Sequence, residues 1–364
     1  MKWSIAIYPT DEAVLCQADA YLREAKQSGF TEVFSSLHLT ECNLDSQLDI
    51  LQRLAVNVHQ YQLKLSVDIG GAMIDRLLND ETKMEILREM HVDVLRLDYD
   101  FNLNQVNMLH QKSGINGFSI NASTTNQQRL MELIEQTDPN IVWEACHNFY
   151  PRPQSGLTMA FLKQQRELFQ VYQLPVTACV PAYHHPRLPL FCGLPTVEKH
   201  RKCGLQQACL ELINEQVCDG IMLADPFAGS DELKTIRDLI TNEPLIVRYH
   251  PAASATLQEL NLLEGKTHYC RYDNSEYGLR LLTSRQMAEY GQLIPPRRTE
   301  QRHYGAITID NIGYQRYSGE IQLIIKDAGY DENVNVAGYI TDEDLWMLPY
   351  LAKGYHFRLI KGEN

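Results

Sequence analysis

Between Ser4 and about Asp238, short apolar runs alternate with longer amphipathic ones, and the alternation repeats eight times. A short apolar run bounded by turn signals reads as a buried strand. A following stretch with apolar residues every three or four positions reads as a helix laid over it. The strand runs are Ser4–Tyr8, Glu32–Leu37, Lys64–Ile69, Val94–Tyr99, Gly117–Asn121, Ile141–Ala145, Pro175–Val180 and Gly220–Ala224. Helical patterns cover Ala13–Lys26, Asp45–Gln60, Gln127–Gln136, Met159–Val171 and Val197–Gln216, with Gly29, Gly114 and Pro175 as stop signals. Eight βα units in about 240 residues predict a (β/α)8 TIM barrel, with active-site residues at the C-terminal strand ends. A doubly wound sheet is the rival, but an open sheet rarely needs eight regular repeats.

After about Thr241 the period changes. Pro244–His250, His268–Tyr272, Arg280–Thr283, Ala306–Asp310, Glu320–Ile325 and Phe357–Ile360 read as strands, and a short helix is expected near Asp342–Leu348. The chain therefore reads as an α/β barrel domain over residues 1–242 and a smaller, mainly β domain over 243–364.

Function classes narrow on charge and cysteine usage. A formal net charge of −13 argues against nucleic acid, because phosphate backbones reward clustered Lys and Arg. Nine cysteines without a C-x-x-C pair read as reduced and mostly structural. No long apolar segment predicts a membrane span, and the expected location is the cytoplasm. No H-E-x-x-H, P-loop or G-x-G-x-x-G occurs, and the adjacent His184 and His185 would face opposite ways on a strand, so no metal or cofactor is expected.

Strand alternation selects the lumen residues. In Val94–Asp100 the set Leu95, Leu97 and Tyr99 faces the helices, so Arg96, Asp98 and Asp100 face inward. Glu144 and Cys146 point inward in the sixth strand, with Asn148 just beyond, and Asp68 and Asn121 add polar groups from the third and fifth. Asp98, Asp100 and Glu144 are the candidate catalytic carboxylates, because paired acids across a cleft are the machinery of glycoside hydrolysis. In Glu144–Gly156 the prolines 151 and 153 stiffen the loop that carries Arg152, which suits an anion contact. In Pro181–Arg201, Arg187, His200 and Arg201 supply cations beside Thr196, a candidate N-cap for a helix beginning at Val197.

Taken together, Ile5–Pro9, Phe34–Leu37, Arg96–Asp100, Asn148–Pro153 with Gly156 and Leu157, Gly193–Arg201, Gly305–Asn311, Tyr317–Glu320 and Asn335–Gly338 resemble the bacterial family of barrel-plus-cyclophilin-like proteins that includes the 6-phospho-N-acetylmuramidases. The resemblance implies a cyclophilin-like second domain. It also implies a glycosidase that removes N-acetylmuramic acid 6-phosphate from a β-1,4-linked N-acetylglucosamine. The loop Ala182–Arg187 departs from the glycine-containing version expected there. On this reading Arg152 and Arg187 clamp the phosphate, while Asn121, Asn148 and Tyr150 orient the sugar. Asp98 or Asp100 divides acid and nucleophile roles with Glu144, expected as the acid, and a substrate-assisted route through the 2-acetamido group is also open. The expected partner is a small phosphorylated sugar, neither nucleic acid nor membrane, with oligomeric state open. The alternatives are a barrel lyase or aldolase acting on a phosphosugar, which normally wants a Schiff-base lysine or a metal, and a non-catalytic sugar-phosphate sensor.

Overall fold

The computed structural model describes residues 1–37, 44–287, 294–297 and 300–362. The chain divides into two compact units, Met1–Ile240 and Thr241–Asn364.

The first unit is a closed barrel of eight parallel strands: β1 (Lys2–Ala6), β2 (Glu32–Ser36), β3 (Lys64–Ile69), β4 (Val94–Leu97), β5 (Gly117–Asn121), β6 (Val142–Cys146), β7 (Val176–Val180) and β8 (Gly220–Leu223). Each pairs with the next, and β8 closes on β1. Side chains such as Ile5, Val33, Leu65, Leu95, Phe118 and Ile221 point outward under the helices and are fully buried. Removing one such side chain from water is worth about 1.5–3 kcal/mol. The helices begin where the sequence supplies caps: the Asn102 side chain accepts from Gln105 N, and Thr158 Oγ1 accepts from Phe161 N. None of the described helices is long and apolar enough to cross a membrane.

Strand register stacks the lumen in rows, with alternate strands contributing to alternate rows. The even strands place Glu32, Val94, Glu144 and Gly220 lowest. Phe34, Arg96, Cys146 and Met222 come next, and Ser36, Asp98, Asn148 and Ala224 lie at or just past the C-terminal ends. The odd strands interleave Ser4, Ser66, Ser119 and Thr177, then Ala6, Asp68, Asn121 and Cys179. Asp68, Asp98 and Glu144 thus all face inward, but Glu144 sits at the opposite end.

Three expectations fail for local reasons. β4 stops at Leu97, and Asp100 then turns with φ 53°, its carbonyl 2.1 Å from where a Cβ on Gly71 would stand. The alternation therefore never reaches Asp100, which is exposed. The helix expected over Val197–Gln216 is a 3-10 turn, Glu198–Arg201, followed by a helix at Leu205–Asn214. Thr196 caps neither; its buried hydroxyl donates to Asn148 O and accepts from Cys179 N.

The second unit carries a six-stranded mixed sheet. Its strands are β9 (Leu245–Pro251), β10 (Gly278–Arg280), β11 (Ala306–Asp310), β12 (Ile321–Ile324), β13 (Val334–Ile340) and β14 (Phe357–Lys361), in spatial order β10-β12-β11-β13-β9-β14. β13 escapes the sequence pattern because it is buried along most of its length, with Asn335 and Gly338 in the run, so no alternation marks it. His268–Tyr272 forms isolated bridges instead of a strand, and the run Arg280–Thr283 ends β10 and opens a helix, Leu282–Met287. A 3-10 turn, Leu345–Met347, and a short helix, Leu348–Leu351, overlap the helical stretch expected nearby.

Candidate active site

A pocket of about 240 Å³ opens at the C-terminal end of the barrel, lined by Tyr8, Phe34, Ser36, Asp68, Arg96, Asp98, Cys146, His147, Asn148, Phe149, Arg187 and Met222. Its floor is organised by Arg96. One guanidinium nitrogen, Nη1, donates to Asp68 Oδ1 at 2.5 Å and to Asp98 Oδ1 at 3.1 Å, and Nη2 donates to Asn148 Oδ1 at 2.6 Å. Burial alone would lower the Arg96 pKa, but the carboxylate of Asp68, with those around it, more than offsets this and raises it. The cation is therefore permanent, and both carboxylates are held close on one nitrogen.

The remaining bonds separate groups spent on neighbours from groups left open. Asn121 Nδ2 donates to Asp98 Oδ1 at 2.9 Å and to Asn148 Oδ1 at 3.0 Å, while its Oδ1 accepts from Ser123 N. Both of its N–H bonds are therefore spent on neighbours, and Asn121 braces the floor without lining the pocket. Ser36 Oγ donates to Asp68 Oδ2 at 3.3 Å. Asp98 Oδ2 accepts no hydrogen bond among the described residues, and its side chain is 22% exposed. The Asn148 NH2 group is likewise unpaired among them. Among the described residues, Asp98 Oδ2 and the Asn148 NH2 group are thus the polar atoms of this cluster left open to a ligand.

Two histidines of this region are buried. His147 shares a hydrogen bond with Ser123 Oγ at 3.1 Å, and burial, helped by the Arg96 charge, pushes its pKa down to about 3. It is a neutral imidazole that orients Ser123, which in turn accepts from Asn148 N. His200 is fully buried, bonds Glu211 at 2.9 Å and lies outside the pocket lining.

Glu144 is removed from the candidate pair by geometry. At the lowest lumen row it accepts from Lys2 Nζ at 2.9 Å, and Lys2 also meets Glu32 at 3.2 Å. This ion cluster closes the N-terminal end of the barrel, where the fold carries stability rather than chemistry. Arg201 is also withdrawn. Its Nε and Nη2 donate to Glu198, its Nη1 to Cys192 O and Gly193 O, and its Nη2 also to Tyr150 O and Arg152 O. Every guanidinium nitrogen is committed to holding two loops together. Arg152 itself is exposed, Tyr150 is half-buried, and neither lines the pocket.

Arg187 does reach it: its guanidinium lies 4.0 Å from the centroid of the Tyr8 ring, a cation–π stack in the pocket wall. Tyr8, Phe149 and Ser123 were not singled out by sequence reasoning. Tyr8 lies two residues past the end of β1, and its position across from Arg187 appears only on closure. No group of three or more His, Cys, Asp or Glu suited to a metal occurs among the described residues.

Comparison with known proteins agrees with this architecture. The chain is similar over 99% of its length to a conserved protein of unknown function from a locus in Enterococcus faecalis, at 29% identity and a TM-score of 0.80, covering 96% of that chain. An uncharacterised B. cereus protein shares the fold at 23% identity and a TM-score of 0.77, with 99% of each chain covered. No match is found among curated proteins. The profile of the 6-phospho-N-acetylmuramidase N-terminal region matches residues 4–238, and that of its C-terminal region matches residues 245–360. Two profiles in the right order over nearly all of the sequence make this chain a member of the 6-phospho-N-acetylmuramidase family of glycosidases.

Proposed function

We propose that the chain hydrolyses the β-1,4 bond between N-acetylmuramic acid 6-phosphate and N-acetylglucosamine, a disaccharide of cytoplasmic peptidoglycan turnover. The observation that carries this reading is the pair Asp68 and Asp98 on Arg96 Nη1. Retaining glycosidases need two close-set carboxyl groups, and inverting ones need room for a water between them. Two oxygens sharing one nitrogen fit the close-set case.

The two acids differ in surroundings, and that difference supports a division of roles. Asp68 is buried, bonded to Arg96 and Ser36, and suited to remain ionised as nucleophile or as the group that orients the substrate's 2-acetamido. Asp98 Oδ2 faces the pocket without a partner among the described residues, a place from which it would pass a proton to the leaving oxygen. Once Asp98 has passed its proton to the leaving oxygen, Asp68, Asp98 and Arg96 together carry a net charge of −1, which favours an oxocarbenium-like transition state. The Asn148 NH2 group would orient the sugar, and Arg187 would meet the 6-phosphate, binding energy remote from the reacting bond that can be used to position it. No lysine among the described residues lines the pocket, which disfavours a Schiff-base aldolase.

The test is to incubate the protein with phosphorylated and unphosphorylated disaccharides and to follow cleavage by mass spectrometry. Preferential cleavage of the phosphorylated form is expected. Equal rates on both would remove the phosphate from the reading, and cleavage of neither would remove the reaction.

A further inference from the structure

Asp225 follows β8 by two residues, is fully buried, and has no part in the chemistry above. Its carboxylate gathers the loop that follows β7. Oδ2 accepts from Ala182 N at 3.1 Å and Leu194 N at 2.9 Å, and Oδ1 accepts from Arg187 N at 2.9 Å. Between these anchors the loop has no regular secondary structure, so its course depends on such ties. Gly193 sits beside the carboxylate with φ 73°, and a Cβ there would stand 2.9 Å from Pro181 Cβ and 3.7 Å from Asp225 Oδ2. Glycine is needed for the chain to pass so close.

The Arg187–Tyr8 stack is moored on both sides to the same dipeptide. The backbone of Arg187 is tied to Asp225, and the Tyr8 hydroxyl donates to Ala224 O at 2.8 Å. We propose that Asp225 is a positioning residue that holds Arg187 on the Tyr8 ring and so preorganises the cation that reads the anionic group of the substrate. This rests on the phosphosugar reading for the identity of the anion, but not for the mooring. Preorganisation lowers the ordering cost of binding, so its loss raises KM more than it lowers kcat.

Asp225→Asn tests the mooring. The single carbonyl oxygen of the amide is best placed where two N–H groups point, which turns the NH2 toward Arg187 N–H and breaks that tie. KM for the phosphorylated disaccharide should rise about 10-fold, with kcat falling about threefold or less. Combined with Arg187→Ala, Asp225→Asn should add no further rise in KM. Hydrogen exchange should accelerate across residues 182–194 and not in the rest of the barrel. Tyr8→Phe, which keeps the ring and removes its tether, should raise KM in the same direction by less. An unaltered KM, additive losses in the double variant, or unchanged exchange in the loop overturns the proposal. Equal KM values for both disaccharides in the unaltered protein overturn the phosphate reading instead, and the mooring is then decided by the exchange result.

Discussion

Lys2 Nζ lies 2.9 Å from Glu144 Oε1, an ion pair that joins residues 142 apart in sequence and closes the N-terminal end of the barrel. Burial would lower the Lys2 pKa, but Glu32 and Glu144 outweigh it and raise it. Glu144→Gln should therefore cost about 1–2 kcal/mol of stability, seen as a lower Tm, because a half-buried cation loses one of two partners. The kcat/KM should stay within about threefold of the parent. A stable Glu144→Gln protein with no turnover would return Glu144 to the catalytic pair.

Asp98→Asn and Asp68→Asn should separate chemistry from structure. Each should lower kcat about 10³-fold, since each removes a carboxylate that protonates, attacks or orients. Asp98→Asn should leave Tm nearly unchanged, because Asp98 is part-exposed and Arg96 keeps Asp68. Asp68→Asn should also lower Tm by several degrees, roughly the effect of 1–3 kcal/mol, by weakening the partner of a fully buried guanidinium. Activity retained by both variants would dismiss this pair.

The sequence shows the barrel because eight apolar runs must each be buried between a lumen and a helix, and period alone reports that. It also shows which side chains face inward: Arg96, Asp98, Glu144 and Asn148 all do. It does not show height. A residue's row in the lumen depends on register against strands far away in the chain, so Asp68 and Glu144 look equivalent until β6 pairs with β5 and Lys2 reaches across. The loop cations fail for a different reason. Arg187, His200 and Arg201 look alike as candidates in the sequence, but the fold turns Arg201 to Glu198 and loop carbonyls, buries His200 against Glu211 and brings Arg187 onto the Tyr8 ring in the pocket wall. β13 is lost because a strand buried on both faces carries no period-two signal.

Glu198 and Arg201 should give the first unit a stability that fades in acid. The bonds from Arg201, with the backbone N–H groups of Gln154 and Gly156, pull the Glu198 pKa down from its ordinary 4.5 to about 2. The unfolded chain takes up a proton first as pH falls. The contribution is whole above about pH 4.5 and is lost progressively toward pH 2. Glu198→Gln should lower Tm at pH 7 and bring the variant closer to the parent at pH 3. A constant difference in Tm across that range would show that the clamp does not depend on the charge.

Asp310 should act in the opposite sense in the second unit. It is 6% exposed, and its Oδ1 has no hydrogen-bond partner among the described residues. Burial, then repulsion from Glu320 and Asp331, pushes its pKa up to about 7 against the opposing charge of Arg302. Its folded pKa lies above its ordinary 3.8, so the folded state keeps a proton that the unfolded chain gives up. Stability is complete below about pH 4 and declines as pH rises toward 7. Asp310→Asn removes the ionisation while keeping the shape. It should raise stability at pH 8 by on the order of 2 kcal/mol and change little at pH 4, read from thermal melts at both pH values. A variant destabilised equally at both would mean that the carboxyl is held by a partner whose loss outweighs the relief of its charge.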